Sequence, residues 1–261
     1  MHQRFWRRAA AGLLFGLAGA CRPDFKLNQY KTHEELFRAG IREFGRRKWD
    51  NAVAAFEKLT LELPARDSLL PRSYWYLATA HERQGEHLLA AQSYTKLVES
   101  FPDDTLADNS ALEAARSYAR LWRKPTLDPT YGETALATYN QLLGLYPTSQ
   151  LVPVAQKELA DLENKFAIKN YEAGLFYFRR KAFDSAIIYF KGVLERWPDA
   201  PQTRTAAVRL VEAYKAIRYR EDAAELCTQL RKKYLNDSDV RGACNGIADV
   251  ATPATTASPI P

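Results

Sequence analysis

The chain holds very little of what metal and redox chemistry uses: three cysteines and four histidines in 261 residues. It also has no long hydrophobic run. The amino-terminal apolar run, Ala9 to Gly19, is eleven residues, too short to span a bilayer as a helix. His81, Glu82 and His87 superficially suggest a zinc helix, but the second histidine falls six residues after the first and Gly85 intervenes. A metal-binding helix needs both histidines one turn apart on one face. Asp103, Asp104, Asp108 and Asn109 lack the glycine and terminal glutamate of a calcium loop and read instead as a helix cap. No Ser-His-Asp set, phosphate loop or paired glycosidase carboxylates stand out, so no enzyme activity, cofactor or metal is expected. Charge excludes little. Lys and Arg number 37 against 31 acids, and without Arg4, Arg7 and Arg8 the two are nearly balanced, so the basic character gives no argument for nucleic acid.

What the chain has is a repeat. A small residue is followed four later by a bulky one, three later by an apolar one and five later by a break. This gives Ala52-Phe56-Leu59-Pro64, Ala90-Tyr94-Leu97-Pro102, Ala135-Tyr139-Leu142-Pro147, Ala186-Phe190-Val193-Pro198 and a degenerate Ala223-Cys227-Leu230-Leu235. The residue before each break is apolar: Leu63, Phe101, Tyr146, Trp197 and Tyr234. The first three positions form one stripe of a 3.6-residue helix, and proline ends it. Each copy is preceded by a second helical pattern, so the unit is a helix pair. Its spacing resembles the tetratricopeptide repeat, about 34 residues long. A pair alone cannot bury its apolar face and stacking supplies the core. The expected fold is an all-α solenoid of about five such pairs.

The amino terminus reads as an export signal. Arg4, Arg7 and Arg8 precede the short apolar run, which ends Leu17-Ala18-Gly19-Ala20-Cys21. Small residues before a cysteine resemble a lipobox, in which the thiol carries a diacylglyceryl group; an ordinary cleavage site and a twin-arginine signal at Arg7-Arg8 are the alternatives. Arg22 follows in place of the aspartate associated with inner-membrane retention, which favours the periplasmic face of the outer membrane. The expected divisions are a signal peptide over 1–20, a lipid-anchored tether over 21–31, three repeats over 32–151, a linking helix with two repeats over 152–236, and a flexible tail over 237–261. Thr32 and Glu35 form a candidate capping box. Leu121–Thr130 interrupts the third repeat with two prolines and is expected to protrude as a loop. Val152–Lys169 reads as one long linking helix, with the first helix of repeat four starting near Asn170.

By repeat phase, the first helices turn Phe37, Phe44, Arg72, Trp75, Arg83, Arg116, Arg120, Tyr171, Phe178 and Arg179 inward. Aromatics beside arginines suit a peptide with aromatic side chains and a free carboxylate; packing against neighbouring helices is the competing use of the same rings. Without Cys21, Cys227 and Cys244 are an even pair in an exported chain, open to a bridge or to two free thiols.

Several runs together carry a family likeness. They are Asp128-Pro129 leading to Ala135, Tyr139, Leu142 and Tyr146-Pro147-Thr148-Ser149; Tyr171 through Arg179-Arg180-Lys181-Ala182-Phe183 to Ala186; and Trp197-Pro198-Asp199. With the lipobox and the interrupted third repeat, they resemble the BamD family, repeat lipoproteins of the outer-membrane β-barrel assembly machinery. The resemblance implies a non-enzymatic, acylated subunit. Its implied partners are the barrel subunit, other assembly lipoproteins, outer-membrane lipid through Cys21, and the targeting segments of unfolded barrel proteins. A periplasmic repeat scaffold of cell division or envelope integrity is the alternative that the repeats alone leave open.

Overall fold

A computed structural model describes residues 25–248; Cys21 and the signal segment lie outside the described residues. Among these residues there are helices and turns and no strands. After a 3-10 turn at Leu27–Gln29, eleven α-helices follow: α1 His33–Gly45, α2 Trp49–Glu62, α3 Leu69–Gln84, α4 His87–Ser100, α5 Ala107–Leu121, α6 Thr130–Leu145, α7 Val152–Arg179, α8 Phe183–Arg196, α9 Pro201–Ala216, α10 Arg220–Lys233 and α11 Ser238–Ala243. From α1 to α10 each helix packs on the next through a short connection. The result is five antiparallel pairs stacked as an α-solenoid of the tetratricopeptide type. No helix among the described residues is long and apolar enough to cross a membrane.

The repeat pattern is the packing pattern. Ala52, Ala90, Ala135 and Ala186 are fully buried, and Phe56 and Phe190 are completely enclosed. Opposite these two rings the first helix of the pair carries glycine. A Cβ on Gly40 would stand 2.9 Å from Phe56 Cζ, and one on Gly174 would stand 2.6 Å from Phe190 Cε1. The helix axes therefore approach where the sequence is smallest. Each even helix of the five pairs ends on the apolar residue before the break, whose N–H still bonds the carbonyl four back: Leu63, Phe101, Tyr146, Trp197 and Tyr234. At the start of α1, Thr32 Oγ1 accepts from the Glu35 N–H at 3.2 Å while the Glu35 carboxylate accepts from the Lys31 N–H at 2.9 Å.

Three features differ from the sequence expectation. First, α7 does not stop at Lys169: one 28-residue helix carries the linking segment and the first helix of repeat four. Nothing there breaks it, and Asn170 Nδ2 turns back to donate to the Phe166 carbonyl at 3.1 Å. Its amino-terminal half serves the third pair and its carboxy-terminal half the fourth. Second, the connection after α5 is pinned rather than simply protruding. Trp122 is 1% exposed and lies against Phe166, ring centroids 4.4 Å apart. Lys165 Nζ donates to the Trp122 carbonyl, and Lys169 Nζ donates to the carbonyls of Pro125 and Leu127 at 3.1 and 2.9 Å. Third, residues 237–248 begin where a flexible tail is expected yet form α11, packed on α9 and α10, and a turn after it. Asp237 caps α11, accepting from the N–H groups of Asp239 and Val240, and Cys227 and Cys244, both fully buried, are joined in a disulfide.

Candidate partner-binding face

The first helices of the pairs, α1, α3, α5, α7 and α9, form one side of the solenoid, and the inward candidates are distributed along it. On α3, Arg72, Trp75, Thr79 and Arg83 recur at helical spacing and make one stripe. Arg72 and Arg83 are exposed, and neither pairs with a carboxylate among the described residues. The Arg72 guanidinium sits 5.1 Å above the Phe37 ring. Trp75 is half-buried, edge-on to Tyr94 at 5.3 Å. Tyr94 hydroxyl and Thr79 Oγ1 are 3.0 Å apart, and burial pushes the Tyr94 hydroxyl up to about 12.

Further along, the candidate arginines are already engaged. Arg116 Nε and Nη2 donate to the Glu158 carboxylate at 2.6 to 3.1 Å, and its Nη1 reaches Glu113 at 2.6 Å. Tyr139 hydroxyl donates to the same Glu158 at 3.0 Å. Hydrogen bonding from Arg116 holds the Glu158 carboxyl below its usual range against the opposing effect of burial. Arg120 donates to Glu82 at 2.6 Å, and Glu82 also accepts from Ser117 and meets His87 Nδ1. These pairs link α3, α5, α6 and α7 around a groove of 380 Å³ lined by Arg116, Arg120, Tyr139, Glu158 and Lys165. Glu82 and Glu158 are the residues that sequence reasoning missed as partners. They meet arginines 38 and 42 positions away, a distance at which no local pattern operates.

Several aromatic candidates are packing residues. Phe37 is 6% exposed, held by Phe56 and Tyr76, so its ring is not presented to a ligand. Phe44 packs edge-on to Trp49 and Tyr76. Tyr171 leans on Phe190. Phe178 lies between Phe183 and Phe190 with Arg209 above it. Arg179 is exposed at the end of α7. His81 is buried and bonds Glu86 at 2.7 Å, so the two neighbouring histidines face different carboxylates. A second groove, 420 Å³, lies between the α5–α6 connection and the second half of the array, lined by Pro125, Thr126, Lys169, Phe176, Tyr177 and Tyr189. The stacked pair Tyr177–Tyr189 forms part of its wall.

The comparisons with known proteins bear on both halves. Residues 29–230 match the YfiO family model, described as outer membrane lipoprotein. The outer membrane protein assembly factor BamD of Caulobacter vibrioides is 25% identical over 217 residues, covering 82% of this chain and 70% of the relative. The same-named factor of Xylella fastidiosa is 24% identical over 184 residues, covering 64% of this chain and 60% of the relative. Among solved structures, the TPR2AB domain of yeast Sti1 aligns over 81% of each chain at 17% identity and a TM-score of 0.39. A tetratricopeptide protein of Thermus thermophilus aligns over 81% of this chain and 96% of its own at 20% identity and a TM-score of 0.35. With the family model spanning the repeat array from before α1 into α10, the chain belongs to the YfiO family of outer membrane lipoproteins.

Proposed function

We propose that this protein is a non-enzymatic lipoprotein subunit of the outer-membrane β-barrel assembly machinery, anchored at Cys21 on the periplasmic face. The observation that carries the reading is the family match over residues 29–230, from before α1 into α10, supported by two relatives named as outer membrane protein assembly factors. The α1–α6 half holds the extended carboxy-terminal segment of an unfolded barrel protein, through Arg72, Trp75 and Arg83 on α3. Arg72 and Arg83 meet no carboxylate among the described residues, and the Trp75 ring is half-buried. Arg116 and Arg120 enter only where a ligand carboxylate displaces Glu158 or Glu82. The second half of α7 with α8 to α10 holds the barrel subunit. The two halves share α7, so they are rigidly joined although their surfaces are separate.

The test is a two-sided binding experiment. An arginine–carboxylate bond at the centre of a site is worth about 2 kcal/mol or more on truncation. Arg72→Ala with Trp75→Ala should therefore weaken binding of a carboxy-terminal barrel peptide at least about tenfold and leave retention of the barrel subunit unchanged. Release of the barrel subunit with intact peptide affinity would reverse the assignment of the halves. Anchoring is checked separately: Cys21→Ser should abolish metabolic lipid labelling, and a labelled, membrane-bound variant would remove Cys21 from the proposal.

A further inference from the structure

Because neighbouring helices run antiparallel, the connections fall on two edges of the solenoid. The odd-to-even turns, from α1–α2 to α9–α10, lie along one edge, and the even-to-odd turns lie along the other. The two edges carry opposite charge. On the first, Arg46, Arg47 and Lys48 occupy the first turn, Arg46 and Lys48 meeting the Glu43 carboxylate there, and Arg123 and Lys124 the third. Arg180 and Lys181 follow in the fourth and Arg218 in the fifth, against only Glu86 and Asp128. The opposite edge has one base, Arg66, against Asp67, Asp103, Asp104, Asp199 and Asp237. Helix dipoles do not produce this asymmetry. They favour acids at helix amino termini and bases at carboxy termini, but over the five pairs each edge receives equal numbers of both.

Two further observations concern the same cations. Arg47, Lys181 and Arg218 have φ of 59°, 59° and 65°, in turns where repeat two uses Gly85 at 80°. A residue with a side chain costs on the order of 1 kcal/mol there relative to glycine, so long cations stand where backbone strain disfavours them. Pairing also differs. Arg116, Arg120, Arg204 and Arg209 all meet carboxylates, whereas Arg47, Lys181 and Arg218 are exposed and pair with none among the described residues. Half-exposed rings stand beside them: Phe176 beneath Arg180 at 3.5 Å, and Tyr219 next to Arg218. Arginine with exposed aromatics is the composition of a protein interface.

We propose that this basic edge docks an acidic surface of a partner protein, at a site separate from the inner face. An anionic membrane is the other surface of matching charge. The chain's entry argues against it: Phe25, Leu27 and Tyr30 pack on the core of the first pair, and α1 begins on the acidic edge, about 20 Å from the Arg46–Lys48 turn. The described chain therefore enters α1 at the edge opposite these cations. That choice of partner rests on the anchoring proposed above; the charge asymmetry does not.

The test uses the full chain, a labelled 20-residue Glu/Asp-rich peptide containing one Tyr, and vesicles of phosphatidylethanolamine with phosphatidylglycerol. Arg180→Glu with Lys181→Glu and Arg218→Glu is compared with Arg66→Glu, Lys157→Glu and Lys232→Glu, which change the net charge equally away from the basic edge. Circular dichroism checks that both variants fold. The edge variant should lose at least tenfold in peptide affinity and the control variant less than threefold. Added salt should weaken wild-type binding, as screening of exposed charges requires. Equal losses in the two variants, no peptide binding by the wild type, or edge-dependent binding to vesicles that exceeds binding to the peptide would overturn the proposal.

Discussion

Glu158 shows what a single residue does here. It is the carboxylate on which Arg116 from α5 and Tyr139 from α6 converge, and it holds them from the amino-terminal half of α7. Hydrogen bonds to charged groups contribute roughly 1.5–3 kcal/mol, so Glu158→Gln should destabilise the folded chain by about 1–2 kcal/mol at neutral pH. The pH dependence follows from the sign of the shift. Folding lowers the Glu158 carboxyl below its ordinary range, chiefly through Arg116. The stability this provides is complete above the unfolded value and disappears as pH falls through the folded value. Urea midpoints from pH 6 down to pH 3 should therefore drop less steeply for Glu158→Gln than for the wild type. Parallel curves would mean that Glu158 is not responsible for acid sensitivity.

At the scale of the element, the tight turns between paired helices share one geometry, a left-handed residue one or two steps after the first helix ends. Gly85 meets it without strain, while Arg47, Lys181 and Arg218 do not. Lys181→Gly should raise stability by up to about 1 kcal/mol, reduced by the greater freedom of glycine in the unfolded chain. Chemical denaturation measures this, and a clear loss would show that the Lys181 side chain stabilises the turn. The third turn is different in kind. Its residues are held by Trp122 and by two lysines of α7, and Gly132 leaves the room that Trp122 fills: a Cβ there would stand 2.3 Å from Trp122 Cε3.

At the scale of the whole molecule, a solenoid has two ends, and the carboxy-terminal one is closed by α11. Arg204 binds Asp237 and Asp239, Lys215 donates to the carbonyls of Ala243 and Asn245, and the Cys227–Cys244 bridge ties the final turn to α10. Closing a loop of 17 residues is worth about 3 kcal/mol on the chain-entropy model. Because each repeat touches only its neighbours, reduction of the bridge should loosen α9 to α11 and leave α1 to α6 unchanged. Hydrogen exchange with and without reductant reads this directly; uniform loss of protection would show that the array unfolds as one unit.

The sequence by itself determined the helix pairs. A small residue against a bulky one, with an aromatic or proline break, is a local pattern, and Ala52–Phe56 or Ala186–Phe190 carry it within a few residues. It also left Cys227 and Cys244 as an even pair, open to a bridge or to two free thiols, and the fold brings them together. Only the tertiary structure decided which inward residues are available. Phe37 is enclosed because α3 brings Tyr76 against it, and Arg116 and Arg120 are paired because α7 and α3 bring Glu158 and Glu82 across the groove. The continuity of α7, by contrast, was legible in the sequence, since no proline stands near Asn170, although repeat phase suggested a boundary there. Periodicity records which face of a helix is buried. It carries no information about which distant side chain completes that face, because contacts between stacked helices are fixed by superhelical packing rather than by spacing along the chain.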